Sequence, residues 1–502
     1  MMSFRRCAWI AVVVATTPLP AVAQLSGSNF FEFQVGNTPF TDPADLTSGF
    51  NQLNAQYSAG ELRAAVRLEQ FYTRFREREY QRLSQYRLSY HNSGAEIVVG
   101  HFYDMLGRGL LLRAYEIPGV VLEDVAFRVR SGFYRDVHGV QLGYRTDAFS
   151  VKAMRGKPLV NVLPPTIPES DRRTDLVEAI DASVNAGART FGAAFLRNNA
   201  GGDFAEYASV SAGGLVAGPV SGYVELARQV GDRRALTDFG DDQAYALYAS
   251  TAFARGSFGV SLEYKNYSDF FLGSGFNDPP SLIKEHTYAI LNRSTHVMSL
   301  NDESGTQLEV YYGFHDGSRL TVNATRALNE FTEDYVYQEY FAEYFAYLGD
   351  HTSAKIFADF AEDPFKAEEQ RFSAGTYADR ILGDGWSGAV DVEFQTFMRT
   401  IGEGARVTNY LAGLTVSRST RYSAGVVWER STDPLLADDP TTVEVETDPR
   451  NWVGVTASFR PSGSHTIALF AGTRRGGPAC TSGICYEVLD FEGVELRVTS
   501  RF

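Results

Sequence analysis

Arg63, Arg67 and Glu69 occupy alternate positions of one short run, and Gln85 and Arg87 repeat that spacing in the next. Guanidinium groups are planar forks that match carboxylates and phosphates, so a row of them on one face would pass or briefly hold anions. If the hairpin around Arg76 to Tyr80 pairs the two runs, these five residues form a basic ladder. The alternative is that Arg and Glu pair with each other and only stiffen a wall. Further along, Arg113 and Glu116 are candidates for a charged contact.

Cys480 and Cys485 lie five positions apart, and apart from Cys7 there is no other cysteine. In an oxidising compartment they close a small disulfide worth about 2–3 kcal/mol, while a metal site would need further Cys or His nearby. Asp433, Asp438, Asp439, Glu444, Glu446 and Asp448 crowd one loop without EF-hand spacing, which reads as a solvated acidic loop. Gly383-Asp384-Gly385-Trp386-Ser387-Gly388 matches the dinucleotide fingerprint as a string. It opens a strand rather than a helix, so it reads as a tight turn. There is no G-x-S-x-G, H-E-x-x-H or P-loop string, and the eight His are scattered. We therefore assign no catalytic, cofactor-binding or metal-binding residue and expect no enzyme.

The elements that must carry these residues alternate with a period of two. Leu62, Ala64, Val66 and Leu68 interleave with Arg63, Ala65, Arg67 and Glu69; Phe258, Val260, Leu262 and Tyr264 interleave with Gly259, Ser261, Glu263 and Lys265. The same holds for the runs starting at Leu308 and Trp386. Each run has an oily face and a wet face. Some connections are tight, such as Ser58-Ala59-Gly60 and Asn92-Ser93-Gly94; others, Pro158 to Thr174, Tyr267 to Glu285 and Ser431 to Asn451, are long and polar. Short turns at one end and long loops at the other mark an outer-membrane barrel, with the turns periplasmic and the loops extracellular.

At the start, Arg5 and Arg6 precede a short apolar run, and Ala21-Val22-Ala23 is a small-residue cleavage site. Residues 1–23 read as a signal peptide and 24–502 as a single barrel domain. The final strand puts Val494, Leu496, Val498 and Phe502 on one face and ends on that aromatic, like the strand recognised by the barrel-assembly machinery. It departs from that pattern at Ser500. A net charge of −15 argues against nucleic acid as a partner. At roughly 20 residues per strand with its connections, the chain accommodates about 24 strands (22–26). A direct count reaches roughly 25, an odd number that closed bacterial barrels avoid. The unclear stretch is Arg293 to Gly305, which reads equally as turn, loop or broken strand.

The stretch from Val99 to Glu116, VGHFYDMLGRGLLLRAYE, resembles the hallmark of an uncharacterised family of large porin-like outer-membrane proteins, filed as a domain of unknown function. The resemblance spans roughly Asn54 to Pro158 and returns at the paired-Cys loop and the last strand. It implies a secreted barrel and no established activity. His101 stands where the hallmark usually has asparagine, and Leu106 where it has Phe. Gly107 and Gly109 permit a sharp bend, so Gly107 to Glu123 is expected to fold inward and narrow the pore, the alternative being an external loop.

These observations imply an all-β transmembrane barrel of the bacterial outer membrane. Its expected role is a porin-like channel for passive diffusion of small hydrophilic solutes, with the lipid bilayer as its surroundings and no cofactor. The rival readings are a structural or secretion-associated barrel that binds a partner through its loops, and a soluble secreted β-protein.

Overall fold

The computed structural model describes residues 23–124, 126–230, 244–297, 302–329, 335–401, 404–437, 448–481 and 484–502. Ala21, Asp438, Asp439, Glu444 and Glu446 lie outside the described residues, whereas Ala23 opens the first strand, Ala23–Asn37.

A strand with one oily and one wet face cannot leave its backbone edges open in lipid, so such strands must pair on both sides. Here 24 strands pair antiparallel in a single sheet that closes on itself. The closure is Ala23–Asn37, which pairs with Ser48–Ala59 on one edge and with Phe491–Arg501 on the other. That register sets Phe31, Phe33 and Val35 beside Val498, Leu496 and Val494. Phe502 exchanges two backbone hydrogen bonds with Gly27, of 2.8 and 3.0 Å, and a side chain at Gly27 would collide with the Phe502 ring.

The even number corrects the direct count. Among the described residues, three two-stranded pairs lie off the ring: Met105–Leu106 with Leu112–Arg113, Tyr115–Asp124 with Val129–Arg135, and Gly477–Thr481 with Ile484–Val488. The last carries the Cys480–Cys485 disulfide. Within the unclear stretch, Arg293 closes a short helix, Ala289–Arg293, and Asp302 to Gly305 open the wall strand Asp302–Gly313, while 298–301 lie outside the described residues. Asp384 and Gly385 form the tight turn, and Trp386 opens the strand Trp386–Arg399.

Short turns gather at the end of the barrel where the chain finishes. The described parts of the long connections, 103–124 and 126–136, 159–174, 269–297, and 475–481 with 484–490, gather at the other. Mid-strand aliphatics such as Leu142, Ile180 and Val455 are about half exposed on the outer wall, forming the surface that lipid covers. The inner wall departs from a water-filled tube, because Glu32, Glu69, Glu225, Glu339 and Asp359 face inward yet are fully buried. Long connections fold back over them.

Ile180 tests the outer face. Ile180→Arg should lower stability by about 2–4 kcal/mol in urea unfolding from lipid vesicles. The same change at lumen-facing Ser261 should cost less than about 1 kcal/mol.

Candidate functional site

Strands Leu62–Thr73 and Tyr80–Asn92 pair with Arg67 opposite Gln85 and Ala65 opposite Arg87. Arg63, Arg67, Glu69, Gln85 and Arg87 all share the inward face, but they do not form an open basic ladder. Arg67 Nη2 donates to both oxygens of Glu116 at 2.6 and 2.8 Å, and its Nε donates to Asn54. Glu69 accepts from Arg82 at 3.0 Å, Gln52 at 3.0 Å and the Tyr134 hydroxyl at 3.2 Å. Gln85 donates to Tyr103 and Asp136, and Arg87 lies 3.6 Å from Glu96. Arg63 remains exposed near the short-turn end. Arg67 is neutralised because a guanidinium covered by protein requires countercharge, and the inward segment brings it as Glu116.

That segment, 103–136, lies against the inner wall. Leu106, Leu110, Leu111 and Leu112 are completely buried among wall residues such as Val98, Val137 and Leu196 and the loop residues Phe270 and Phe276. Each buried leucine contributes about 1.5–3 kcal/mol, an upper figure since unfolded chains are already partly compact. Gly107 adopts φ 56° directly over Glu225, where a Cβ would strike the carboxylate. The next amide, Arg108 N–H, donates to Glu225 Oε2 at 2.7 Å, and the Arg108 guanidinium lies over the Tyr223 ring. Arg113 and Glu116 do not meet each other: Arg113 sits 3.7 Å from Asp278 while Glu116 holds Arg67. Lys152 of the wall pairs with Asp104 at 2.6 Å.

The opposite arc is rich in carboxylates, and segment 269–297 covers it. The Ala289 and Ile290 amides donate to Glu393 at 2.9 and 2.8 Å, and Arg293 forks onto Glu429 at 2.6 and 2.9 Å. His286 Nε2 is 3.1 Å from Glu339. His296 Nδ1 is 3.1 Å from Asp363, its Nε2 is 3.5 Å from Glu303, and its ring stacks on Tyr337. The disulfide hairpin braces this segment, since Cys480 N–H donates to Asn292 Oδ1 at 2.7 Å. It also joins the two inward segments, with the Tyr486 ring against Phe133. Asp433 corrects the reading of a solvated acidic loop: it is buried and paired with Arg399.

His286, His296, Glu225, Glu339, Asp363, Glu393 and Glu429 were not singled out from sequence. The carboxylates do sit on the wet faces of alternating runs, and that was the only signal. Their partners come from loops, which carry no periodicity.

A closed antiparallel ring, apolar outside and charged within, defines a β-barrel of the bacterial outer membrane. The chain belongs to a family of unknown function, DUF6029, whose family model matches residues 32–373. No curated protein sequence matches it. Among solved structures, a chain of the E. coli P pilus tip assembly intermediate PapC-PapD-PapK-PapG is similar, with a TM-score of 0.52 and 10% identity over 95% of this chain and 60% of that one. The PapC usher translocation pore aligns at a TM-score of 0.42 and 10% identity, over 95% and 99% of the two chains. OpdK of Pseudomonas aeruginosa aligns at 0.38 and 12%, over 71% and 97%. At such identities the likeness is one of fold.

His296 makes the seating of segment 269–297 depend on pH. Burial pulls its pKa down, but the contacts with Asp363 and Glu303 outweigh this and leave it above the usual histidine value. Tyr337 faces the same ring, and Lys265 sits beyond it, bound to Glu303. A raised pKa means the protonated imidazole contributes fully below the ordinary histidine range, and the contribution is lost as pH rises through the raised value. Proteolysis within 269–297 should therefore accelerate as pH rises above the ordinary histidine range, and His296→Phe should weaken that pH dependence.

Proposed function

We propose that the protein is an outer-membrane channel for passive passage of small hydrophilic solutes, narrowed at its long-loop end by its own inward-folded segments. The observation that carries this reading is the docking of 103–136 and 269–297 onto a charged inner wall through matched ion pairs and hydrogen bonds. Toward the short-turn end the wall bears small and hydroxylated residues, including Ser150, Ser183, Ser211 and Ser261. A wall of that kind holds water, and segments lying across it set the aperture. The same loops explain how a ring of this size avoids a wide leak, since side chains alone fill only barrels of about eight strands.

On this reading residues 1–23 are the export signal, cleaved after Ala23. Val494, Leu496, Val498 and Phe502 present the last strand to the assembly machinery. The pore-lining residues are those that stay exposed to the lumen, Arg63 and Arg87 among them, while Arg67, Glu69, Gln85, Arg113 and Glu116 hold the narrowing segment in place.

Removing Leu110 to Val120 should raise single-channel conductance in planar bilayers several-fold. Unchanged conductance would end the idea that this segment constricts the pore. An intact protein that supports no solute flux in liposome swelling would point instead to a barrel whose loops serve a partner.

A further inference from the structure

One cluster on the carboxylate-rich arc is not accounted for by ion pairing alone. His286 from the inward segment meets Glu339 of strand Tyr335–Tyr347 and Asp359 of strand Thr352–Asp363, and all three are buried. One ligand atom from each lies within 4.8 Å of the others. Arg371 crosses the group, but it uses only one oxygen of each carboxylate: Nη2 donates to Glu339 Oε1 at 2.9 Å and Nε to Asp359 Oδ2 at 3.2 Å. The second oxygens, Glu339 Oε2 and Asp359 Oδ1, and His286 Nδ1 are buried with no hydrogen-bond partner. Buried carboxylate oxygens are seldom left this way, because the cost of removing them from water is not recovered.

Charge points the same way. Arg371 is shared by Glu339, Asp359 and Glu368, and of these Arg399 reaches only Glu368, at 3.8 Å, so the two carboxylates beside His286 face one guanidinium between them in a site closed to solvent. We propose that His286, Glu339 and Asp359 bind a divalent metal ion of the zinc type. An imidazole nitrogen with two carboxylate oxygens is a donor set such ions accept, and each of the three residues keeps one unpartnered ligand atom to offer. Packing already restrains the imidazole, with the Phe341 ring 4.7 Å away. In the nearby cluster of His296, Asp363 and Glu303 the cation Lys265 serves Glu303, whereas here the one guanidinium of Arg371 is shared among three carboxylates. A metal at His286 would tie the inward segment to the wall, and this assignment stands whether or not the barrel conducts.

The test uses the full-length, detergent-purified protein, stripped with a chelator, dialysed against zinc sulfate and desalted, with bound zinc measured by mass spectrometry. Wild type should retain about one zinc per chain, and zinc should raise its melting temperature. His286→Ala and Asp359→Asn should fall to background and lose the shift, while His296→Ala should keep both. Heat-modified gel migration checks that each variant has folded. A folded wild type that retains no zinc, or His286→Ala and Asp359→Asn variants that retain as much as wild type, would overturn the proposal.

Discussion

A charged group on the inner wall of a barrel is stable if water reaches it, and unstable if protein covers it without an opposite charge. Much of the interior follows from that constraint, with backbone amides standing in for a cation at Glu225 and Glu393. On the arc built from Leu62–Thr73, Tyr80–Asn92 and Phe149–Pro158, the wall offers Arg67, Arg82 and Lys152, and the covering segment supplies Glu116 and Asp104, while Glu69 of the wall serves Arg82. On the opposite arc the wall offers Glu339, Asp363, Glu393 and Glu429, and the covering segment supplies His286, His296, two helix amides and Arg293. Breaking one partner of such a buried pair typically costs about 3–5 kcal/mol, so the segments are held by many specific contacts at once.

Apolar packing and charge pairing divide the work between them. Leu106 and Leu110 to Leu112 fill space against small wall residues such as Ala179, Ala194 and Ala227. Packing of this kind favours burial without choosing among positions along the wall. Choice comes from directional contacts, of which the Glu225 carboxylate under Gly107 and Arg108 is the clearest. A residue with a Cβ at Gly107 would lift the chain off that carboxylate and expose its acceptors to a site that water barely reaches.

Much of the wall was legible beforehand. Alternation in Leu62 to Glu69 or Trp386 to Gln395 assigns each side chain to a face without any knowledge of its neighbours, since the period is a property of the extended backbone. The disulfide was legible for a similar reason: Cys480 and Cys485 are close in sequence. Strand number was less so, because Tyr115–Asp124 is as long as a wall strand yet pairs within a luminal hairpin. The arginine row shows the limit most plainly. Alternation says which residues share a face with Arg67, but its partner is Glu116, 49 positions away in a segment without periodicity.

Sequence by itself therefore determined that the chain makes a ring of strands, which way each strand faces, and that the Gly107 region turns sharply, since all of these depend on local backbone geometry and residue polarity. Only the tertiary structure decided that the lumen is partly filled, that Arg67 is neutralised, and that His286 comes to lie beside Glu339 and Asp359. Those outcomes depend on pairings between residues far apart in the chain, such as Arg293 with Glu429, 136 positions away. Charges that distant meet only when the closed wall holds one and an inward loop delivers the other.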